Sequence, residues 1–309
     1  FLTMTDWASL ITADPLALRL TRLFDQYSPV DFSSLRGYPQ SWQSETAVNT
    51  DRVTMTSAAL LYFNGSVADV VRWVGGPHVA AHRSSSAILE HLRTCSAPAD
   101  LLSDLSRILD SGIPTHCNVS ASEANFQAFY NYGNHSTVAL EPEKTYNALV
   151  KDNKKGYSLL FDEQLIPFLL NCHVTPQGIV DLDTLHKNPR PIFDSSFRPE
   201  PWCFSINDWT TKCTEPPLTF AGAELEFMIW LYNLRVTYPT QEIYICDDDV
   251  SGAFRQVKCH PNLVGMHTST QCGLGVLNTG ATFGDNTSPS NFDPVARARR
   301  FSSRYHWLH

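Results

Sequence analysis

Hydrophobic positions in the first part of the chain recur at helical spacing. TSAALLYFNGSVADVVRWVGG, residues 56–76, predicts a helix that stops at the Gly-Gly pair. APADLLSDLSRILDSG, residues 97–112, gives the clearest prediction, with a Pro-Ala-Asp start, apolar residues three and four apart, and a final glycine. Residues 1–135 are therefore expected to consist mostly of helices joined by polar turns.

From about residue 140 the hydrophobic segments become shorter. EPEKTYNALVKDNKKG, residues 141–156, predicts a helix whose basic last turn suits the helix dipole. AGAELEFMIWLYNLR, residues 221–235, predicts another helix, and Ser288 as N-cap followed by Pro289 marks the start of a third. Short strands are expected at YSLLF, GIVDL, RPIFDSSF and QEIYIC, with a turn at 176–178 and a Gly-rich hairpin at 262–280.

These patterns predict an α+β fold in two parts. A helical N-terminal region, residues 1–139, carries no motif that indicates its role. Residues 140–309 form the mixed part, and all the candidate chemistry lies there.

The composition is globular and acidic. Hydrophobic residues make up 43% of the chain, and the formal net charge is −8. No apolar run approaches the roughly 18 residues that a membrane-spanning helix needs, so we expect no membrane partner. The negative charge argues against a chain that coats nucleic acid, although it permits a nucleic-acid enzyme with a local basic surface.

The eight cysteines lie at least ten residues apart, so no Cys-x-x-Cys zinc pattern exists. In a chain of this length they are typical of buried thiols in a reducing compartment. The N-terminal segment FLTMTDWASL lacks the basic start of a signal peptide. We therefore expect an intracellular protein of the cytoplasm or nucleus, and its oligomeric state stays open.

Three consecutive aspartates, Asp247, Asp248 and Asp249, follow the predicted strand QEIYIC. Side chains alternate along a strand, so Asp247 and Asp249 are expected on one face. Two such carboxylates suit Mg²⁺, and Val250 could add its backbone carbonyl. A solvated acidic turn and a loop Ca²⁺ site are the alternatives that this stretch leaves open.

The segment DVSGAF, from Asp249 to Phe254, resembles the first palm motif of reverse transcriptases. By that resemblance Asp249 is the catalytic carboxylate that binds both metal ions. Phe254 would lie under the sugar of the incoming nucleotide and exclude a 2′-hydroxyl. The family usually has apolar residues where Asp247 and Asp248 stand.

KNPRPIFDSSF, residues 187–197, followed by SIND at 205–208, resembles the fingers hairpin of the same family. The resemblance implies that Arg190 holds the triphosphate and that Lys187 assists. Arginine suits this role because its planar fork grips phosphate oxygens in bidentate fashion. An ordinary surface ion pair is the alternative for Arg190.

FGDNTSPSNF, residues 283–292, resembles the loop and helix start that lie along the nascent base pair in this family. Gly284 would let the backbone approach the nucleotide base, and Phe283 would flank it. A plain helix start is the alternative, because Ser288 and Pro289 satisfy one without any ligand.

The three segments follow one another in the family's order, and the resemblance covers roughly 187–300. It is closest to retrotransposon enzymes. It implies a truncated right-hand polymerase of fingers and partial palm, with a mixed or antiparallel sheet packed on helices. The implied activity is RNA-directed DNA polymerase, a nucleotidyltransferase that uses Mg²⁺, an RNA or DNA template-primer and deoxynucleoside triphosphates.

The family's second metal-binding motif, an aromatic-x-Asp-Asp hairpin, is expected several dozen residues after the Ser-Pro helix start. The sequence given has only 21 residues after Ser288. We therefore expect the isolated chain to lack polymerase activity. Two alternatives stay open: a non-catalytic nucleic-acid-binding or structural remnant of the polymerase fold, and an Mg²⁺-dependent phosphohydrolase that uses the Asp247–Asp249 cluster.

Overall fold

The structure is a computed structural model of the 309-residue chain. The residues that it describes are 48, 50–75, 85–113, 122–180, 190–210, 223–243 and 252–308.

Helices make up the described residues before the first strand. Because apolar side chains recur every three or four residues, each helix buries one face and exposes the other. The α-helices are α1 (Thr50–Tyr62), α2 (Val67–Gly75), α3 (Ser85–Thr94), α4 (Ala99–Ser111), α5 (Glu123–Tyr132) and α6 (Pro142–Lys154), with a 3₁₀ helix at Ser136–Leu140. The helices predicted at 97–112 and 141–156 are confirmed as α4 and α6.

The remaining helices are interspersed with strands. The α-helices are α7 (Ile206–Trp209), α8 (Ala223–Thr237), α9 (Ala253–Gln256), α10 (Pro261–Val264) and α11 (Ser288–Leu308), with 3₁₀ helices at Glu163–Phe168 and Gly265–His267. α8 and α11 confirm the helices that the sequence predicts after residues 220 and 287. In the described part of the chain no helix has both the length and the apolar character needed to cross a bilayer.

Among the described residues, two antiparallel sheets accompany the helices. The first has the order β1-β5-β4, and its register places Leu160 opposite Val276. The second pairs β2 with β3 and places Gly178 opposite Ile192. The strands are β1 (Ser158–Asp162), β2 (Gln177–Val180), β3 (Arg190–Phe193), β4 (Thr268–Gln271) and β5 (Leu274–Asn278). The predicted hairpin is confirmed as β4 and β5, joined by Cys272 and Gly273.

Two local predictions are wrong. The helix predicted at 56–76 is broken between α1 and α2, where Gly65 has φ +80° and a Cβ would lie 2.0 Å from the Phe168 carbonyl oxygen. The turn predicted at 176–178 contains the start of β2 instead. Gln177 pairs with Phe193 there, and its backbone N–H donates to the Asn134 side chain at 2.8 Å. In both places a long-range contact outweighs the local pattern.

The main core unites helices and sheet. Its fully buried members come from both sides of residue 140, including Val70, Phe129, Phe161 and Leu277. Burying side chains of this size is the main favourable contribution to such a fold, at about 1.5–3 kcal/mol each. The α+β class is therefore confirmed, while the division at 139/140 stays a prediction.

Candidate functional site

The sequence-predicted site residues fall into two groups. Lys187, Asp249 and Val250 lie outside the described residues, as does the second half of the predicted strand QEIYIC, residues 244–246. Arg190, Phe254, Phe283 and Gly284 are described. The structure therefore bears on the expected sugar, base and phosphate contacts, and the predicted metal ligands stay predictions.

Gly284 lies directly against the end of β3. Its φ is +105°, a left-handed conformation that favours glycine, and a Cβ there would lie 2.0 Å from the Phe193 carbonyl oxygen. The same Cβ would lie 3.5 Å from the Ser195 hydroxyl. The loop that carries Gly284 can therefore approach the backbone of RPIFDSSF this closely only because position 284 has no side chain.

Asn207 joins the same two segments with its side-chain amide. Its Nδ2 donates to the Gly284 carbonyl oxygen at 2.8 Å and to the Ser196 hydroxyl at 2.7 Å. Its Oδ1 accepts from the backbone N–H of Asn286 at 3.0 Å. Its own backbone N–H donates to the Ser195 carbonyl at 3.0 Å. The asparagine of SIND thus ties the segment after β3 to the loop before α11.

Phe254 supplies an aromatic surface beside this loop. Its ring centroid lies 5.0 Å from that of Phe283 and 5.8 Å from that of Phe292, both within the range of favourable aromatic pairs. The Phe283 side chain is 49% exposed, whereas Phe254 is half-buried. The first residue of FGDNTSPSNF and the last residue of DVSGAF therefore form one partly open aromatic face next to Gly284.

Arg255 packs behind the aromatic face that Phe254 and Phe283 form. Its guanidinium is buried and donates to Asp152 at 2.8 Å and to Asn278 at 3.0 Å. It also lies 5.7 Å from the centroid of the Tyr157 ring and 5.5 Å from that of Phe193. Cation–π contacts of a desolvated guanidinium strengthen such packing. Arg255 therefore connects α6, β5 and β3 directly behind the Phe254 side chain.

Arg190 lies at the exposed start of β3, opposite Val180. A strand rises roughly 3.3 Å per residue, so its backbone lies about 10 Å along β3 from that of Phe193. Phe193 in turn contacts Gly284. The predicted phosphate-binding arginine and the predicted base-contacting glycine are thus linked by one short strand.

Asp208 and Arg198 form a bidentate ion pair near the site. The Arg198 guanidinium donates to both carboxylate oxygens of Asp208, with Nε to Oδ2 at 2.8 Å. This hydrogen bonding lowers the pKa of Asp208 to about 2, and bonds from the Ser205 backbone and hydroxyl act in the same direction. Asp208 and Ser205 together form a capping box at the start of α7, which holds Asn207 in place.

A buried histidine–aspartate pair lies beneath the Gly284 loop. His267 Nε2 is 3.4 Å from Asp285 Oδ2, and both side chains are almost fully buried. Burial lowers the pKa of His267, while the Asp285 carboxylate opposes that shift. Asp285 also accepts from the backbone N–H and the hydroxyl of Thr287, each at 2.8 Å. These bonds orient the residue that follows Gly284.

Several of these residues could not be found from local sequence patterns. The asparagine of SIND belongs to the fingers resemblance, but its partners lie 77 and 79 residues away. Nothing in DVSGAFRQ distinguishes a buried Arg255 from a solvated one. The sequence signal for Arg255 is its place directly after Phe254. A charge beside a half-buried aromatic must either reach water or find a partner inside the protein.

No group of three or more His, Cys, Asp or Glu side chains that could hold a metal ion occurs among the residues that the structure describes. The carboxylates predicted to hold Mg²⁺ belong to the segment 244–251, outside those residues. Their type and number suit Mg²⁺, and their geometry stays a prediction.

Comparisons with protein-family models, with curated proteins and with solved structures find no match for this chain.

Proposed function

We propose that this chain is the fingers and the first part of the palm of an RNA-directed DNA polymerase of the retrotransposon type. One observation supports this most. Three segments that resemble separate motifs of that family meet in space: RPIFDSSF with SIND, the described end of DVSGAF at residues 252–254, and FGDNTSPSNF. Gly284 contacts Phe193, and Phe254 packs on Phe283.

The resemblance rests on the sequence alone, so the proximity of these segments in space is an independent observation. Segments around residues 193, 207, 254 and 284 could have been distributed over unrelated parts of the molecule. Gly284 approaches the Phe193 carbonyl oxygen as closely as Gly65 approaches that of Phe168, so the close approach itself is backbone packing. What supports the proposal is which segments meet there.

In this proposal the incoming deoxynucleoside triphosphate lies along β3 and the Gly284 loop. Arg190 binds the triphosphate, and Phe254 contacts the sugar from the face that would carry a 2′-hydroxyl. Asp249 holds Mg²⁺, which offsets the charge of the reacting phosphates in this class of reaction. The template is copied by base pairing, so the protein needs only shape and phosphate contacts.

Nucleotide binding tests the proposal without requiring synthesis. We would titrate the purified chain with a fluorescent analogue of dATP in Mg²⁺, and compare the wild type with Arg190→Ala and Asp249→Asn. Loss of a charged hydrogen bond is worth about 1.5–3 kcal/mol, so each substitution should weaken binding about tenfold or more.

Arg93→Ala is the matched control, because Arg93 is an exposed arginine on α3 that pairs with Glu90. It should bind the analogue as the wild type does. Equal affinities for Arg190→Ala and Arg93→Ala would contradict the proposed site. Nucleotide binding without any dependence on Asp249 would favour a remnant of the fold that has lost its metal site.

A further inference from the structure

We infer that α8 is the surface through which two copies of this chain pair in antiparallel orientation to form a weak dimer. The sequence of α8, AELEFMIWLYNLRVT, is mostly apolar, and its exposed large apolar side chains range from 43% to 69% in exposure. Among the described elements, none packs extensively against α8. A helix that is apolar on all sides is normally buried, so we expect another surface to cover α8. This surface goes beyond the proposed function and contains none of its predicted residues.

One face of α8 carries an apolar stripe whose residues are four, three and four positions apart. This outer stripe consists of Leu225, Ile229, Tyr232 and Val236, which are 64%, 51%, 69% and 60% exposed. Leu231 and Leu234 lie on the opposite face and are partly buried. Alternating spacings of three and four residues are typical of the seam of a coiled coil, in which the side chains of one helix fit between those of another. The outer stripe therefore suits another helix better than a small molecule.

The outer stripe is complementary to itself. Its four-three-four spacing is the same when α8 is read in either direction, so a twofold axis through the middle of the helix brings the stripes of two copies together. In this antiparallel pair Leu225 lies opposite Val236 of the second copy. The same operation places Ile229 opposite Tyr232. A surface of this kind is what a twofold dimer needs, and it favours a second copy of the chain as the occupant.

The charged residues of α8 favour the antiparallel orientation. Glu226 lies near the start of the helix, and Arg235 lies in its last turn. Antiparallel pairing places Glu226 of one copy at the same level along the axis as Arg235 of the other, whereas parallel pairing places like charges at the same level. Arg235 also donates to the carbonyl oxygens of Pro239 at 3.3 Å and Gln241 at 2.9 Å. These acceptors are uncharged, so the positive charge of Arg235 is not neutralised by them.

The exposed area suits a weak dimer. Met228 flanks the outer stripe and is 57% exposed. If Met228 and the residues of the outer stripe each contribute on the order of 100 Å², an α8 pair buries about 1,000 Å² in total, which is near the lower limit for a specific interface. We therefore expect a dissociation constant in the micromolar range, with monomer and dimer in exchange.

Sedimentation velocity of the full chain, at concentrations from about 1 to 100 µM, tests the pairing. The mean mass should rise with concentration from that of a monomer to that of a dimer. Ile229→Glu should weaken the association at least about hundredfold, because symmetry places the new carboxylate in the apolar seam twice. Because Ile229 is half exposed in the single chain, the variant should keep the unfolding midpoint of the monomeric wild type in urea.

Trp230→Glu is the matched control. Trp230 follows Ile229 directly and has a similar exposure of 54%, but it lies about 135° around the helix from the middle of the outer stripe. This variant should dimerise as the wild type does. A wild type that stays monomeric at about 100 µM, equal dissociation constants for the two variants, or a mass that rises beyond the dimer would overturn the inference. If the wild type is monomeric and Ile229→Glu lowers its unfolding midpoint, another part of the same chain covers α8, and the inference is likewise wrong.

Disulfide crosslinking tests the orientation. A chain with Leu225→Cys, mixed with a chain with Val236→Cys, should give an oxidised dimer above the background that the wild-type cysteines produce. Leu225→Cys alone should not, because the two copies of position 225 lie about 16 Å apart along the axis of the antiparallel pair. Crosslinking of Leu225→Cys with itself would indicate a parallel pair and overturn the inference. Neither experiment depends on nucleotide binding, so failure of the proposed polymerase function would leave the result intact.

Discussion

The amide nitrogen of Asn207 lies 2.8 Å from the carbonyl oxygen of Gly284, across 77 residues of sequence. The amide oxygen of the same side chain accepts from the Asn286 backbone at 3.0 Å. One side chain therefore holds both ends of the turn that contains Gly284. The position of that turn relative to β3 therefore depends on the Asn207 side chain, whose two partners in the turn are backbone groups.

Asn207→Ala should destabilise the protein and loosen the Gly284 turn. Each hydrogen bond of this kind is worth about 0.5–1.5 kcal/mol, and Asn207 is only partly buried, so we expect a loss of about 1–2 kcal/mol in the free energy of unfolding. Urea denaturation would measure it. Asn131→Ala is a control on the exposed face of α5, where Asn131 accepts a single bond from Gln127. Equal losses for the two variants would contradict the special role of Asn207.

Gly284→Ala should destabilise the protein more than the addition of one methyl group would suggest. The added Cβ would lie 2.0 Å from the Phe193 carbonyl oxygen, so the loop or β3 must move. Gly133→Ala is a matched control, because Gly133 also has positive φ (+71°) but has nothing within 4 Å of its Cβ position. Gly133→Ala should lose about 1 kcal/mol in the free energy of unfolding, because only backbone strain acts there. We expect Gly284→Ala to lose at least about 2 kcal/mol more than Gly133→Ala does. Similar unfolding free energies for both variants would contradict the close approach.

Arg255 should contribute more to stability than the exposed arginines do. Arg255→Ala removes hydrogen bonds to Asp152 and Asn278 and two cation–π contacts from a buried position, so we expect it to cost about 3 kcal/mol or more. Arg297→Ala is the comparison, because Arg297 is 31% exposed and its pairs are at the surface. We expect about 1 kcal/mol or less there. A smaller loss for Arg255→Ala than for Arg297→Ala, in the same urea titration, would show that Arg255 is solvated.

His173 should make the protein sensitive to mild acid. Burial between Phe129 and Trp209 lowers the pKa of His173 to about 3, and the neighbouring His267 acts in the same direction. Between pH 6.5 and about 3 only the unfolded chain is protonated at this position. Stability is therefore lost as pH falls through this window, by at most about 1.4 kcal/mol per pH unit.

His173→Phe keeps the aromatic contacts and removes the titrating group. The free energy of unfolding of the variant should therefore fall less steeply than that of the wild type between pH 6.5 and 4.5. The carboxylates and the other histidines contribute to both curves, so the difference in slope between the two proteins isolates the contribution of His173. Parallel curves would mean that His173 is solvated enough to titrate normally in the folded state.

Helical periodicity predicted the fold class and several helices because these depend on neighbours within a few residues. It did not predict the break at Gly65 or the strand at Gln177, since both depend on contacts with distant segments, Phe168 and Phe193. The offsets of Phe254, Phe283 and Gly284 were visible as short sequence patterns. Their proximity, and the buried partners of Arg255, follow only from tertiary packing.

The discrimination between dATP and ATP tests the proposed nucleotide site most directly. We would measure the affinity of both nucleotides in Mg²⁺ for the wild type, for Phe254→Ala and for the control Phe227→Ala on α8, whose side chain is 43% exposed. Steric exclusion of one hydroxyl is worth about 1–3 kcal/mol, so the wild type and the control should prefer dATP about tenfold or more. Phe254→Ala should bind both nucleotides nearly equally, mainly through tighter binding of ATP. A wild type without preference, or a preference that survives in Phe254→Ala, would contradict the assignment of Phe254 and of the surface it forms with Phe283 and Gly284.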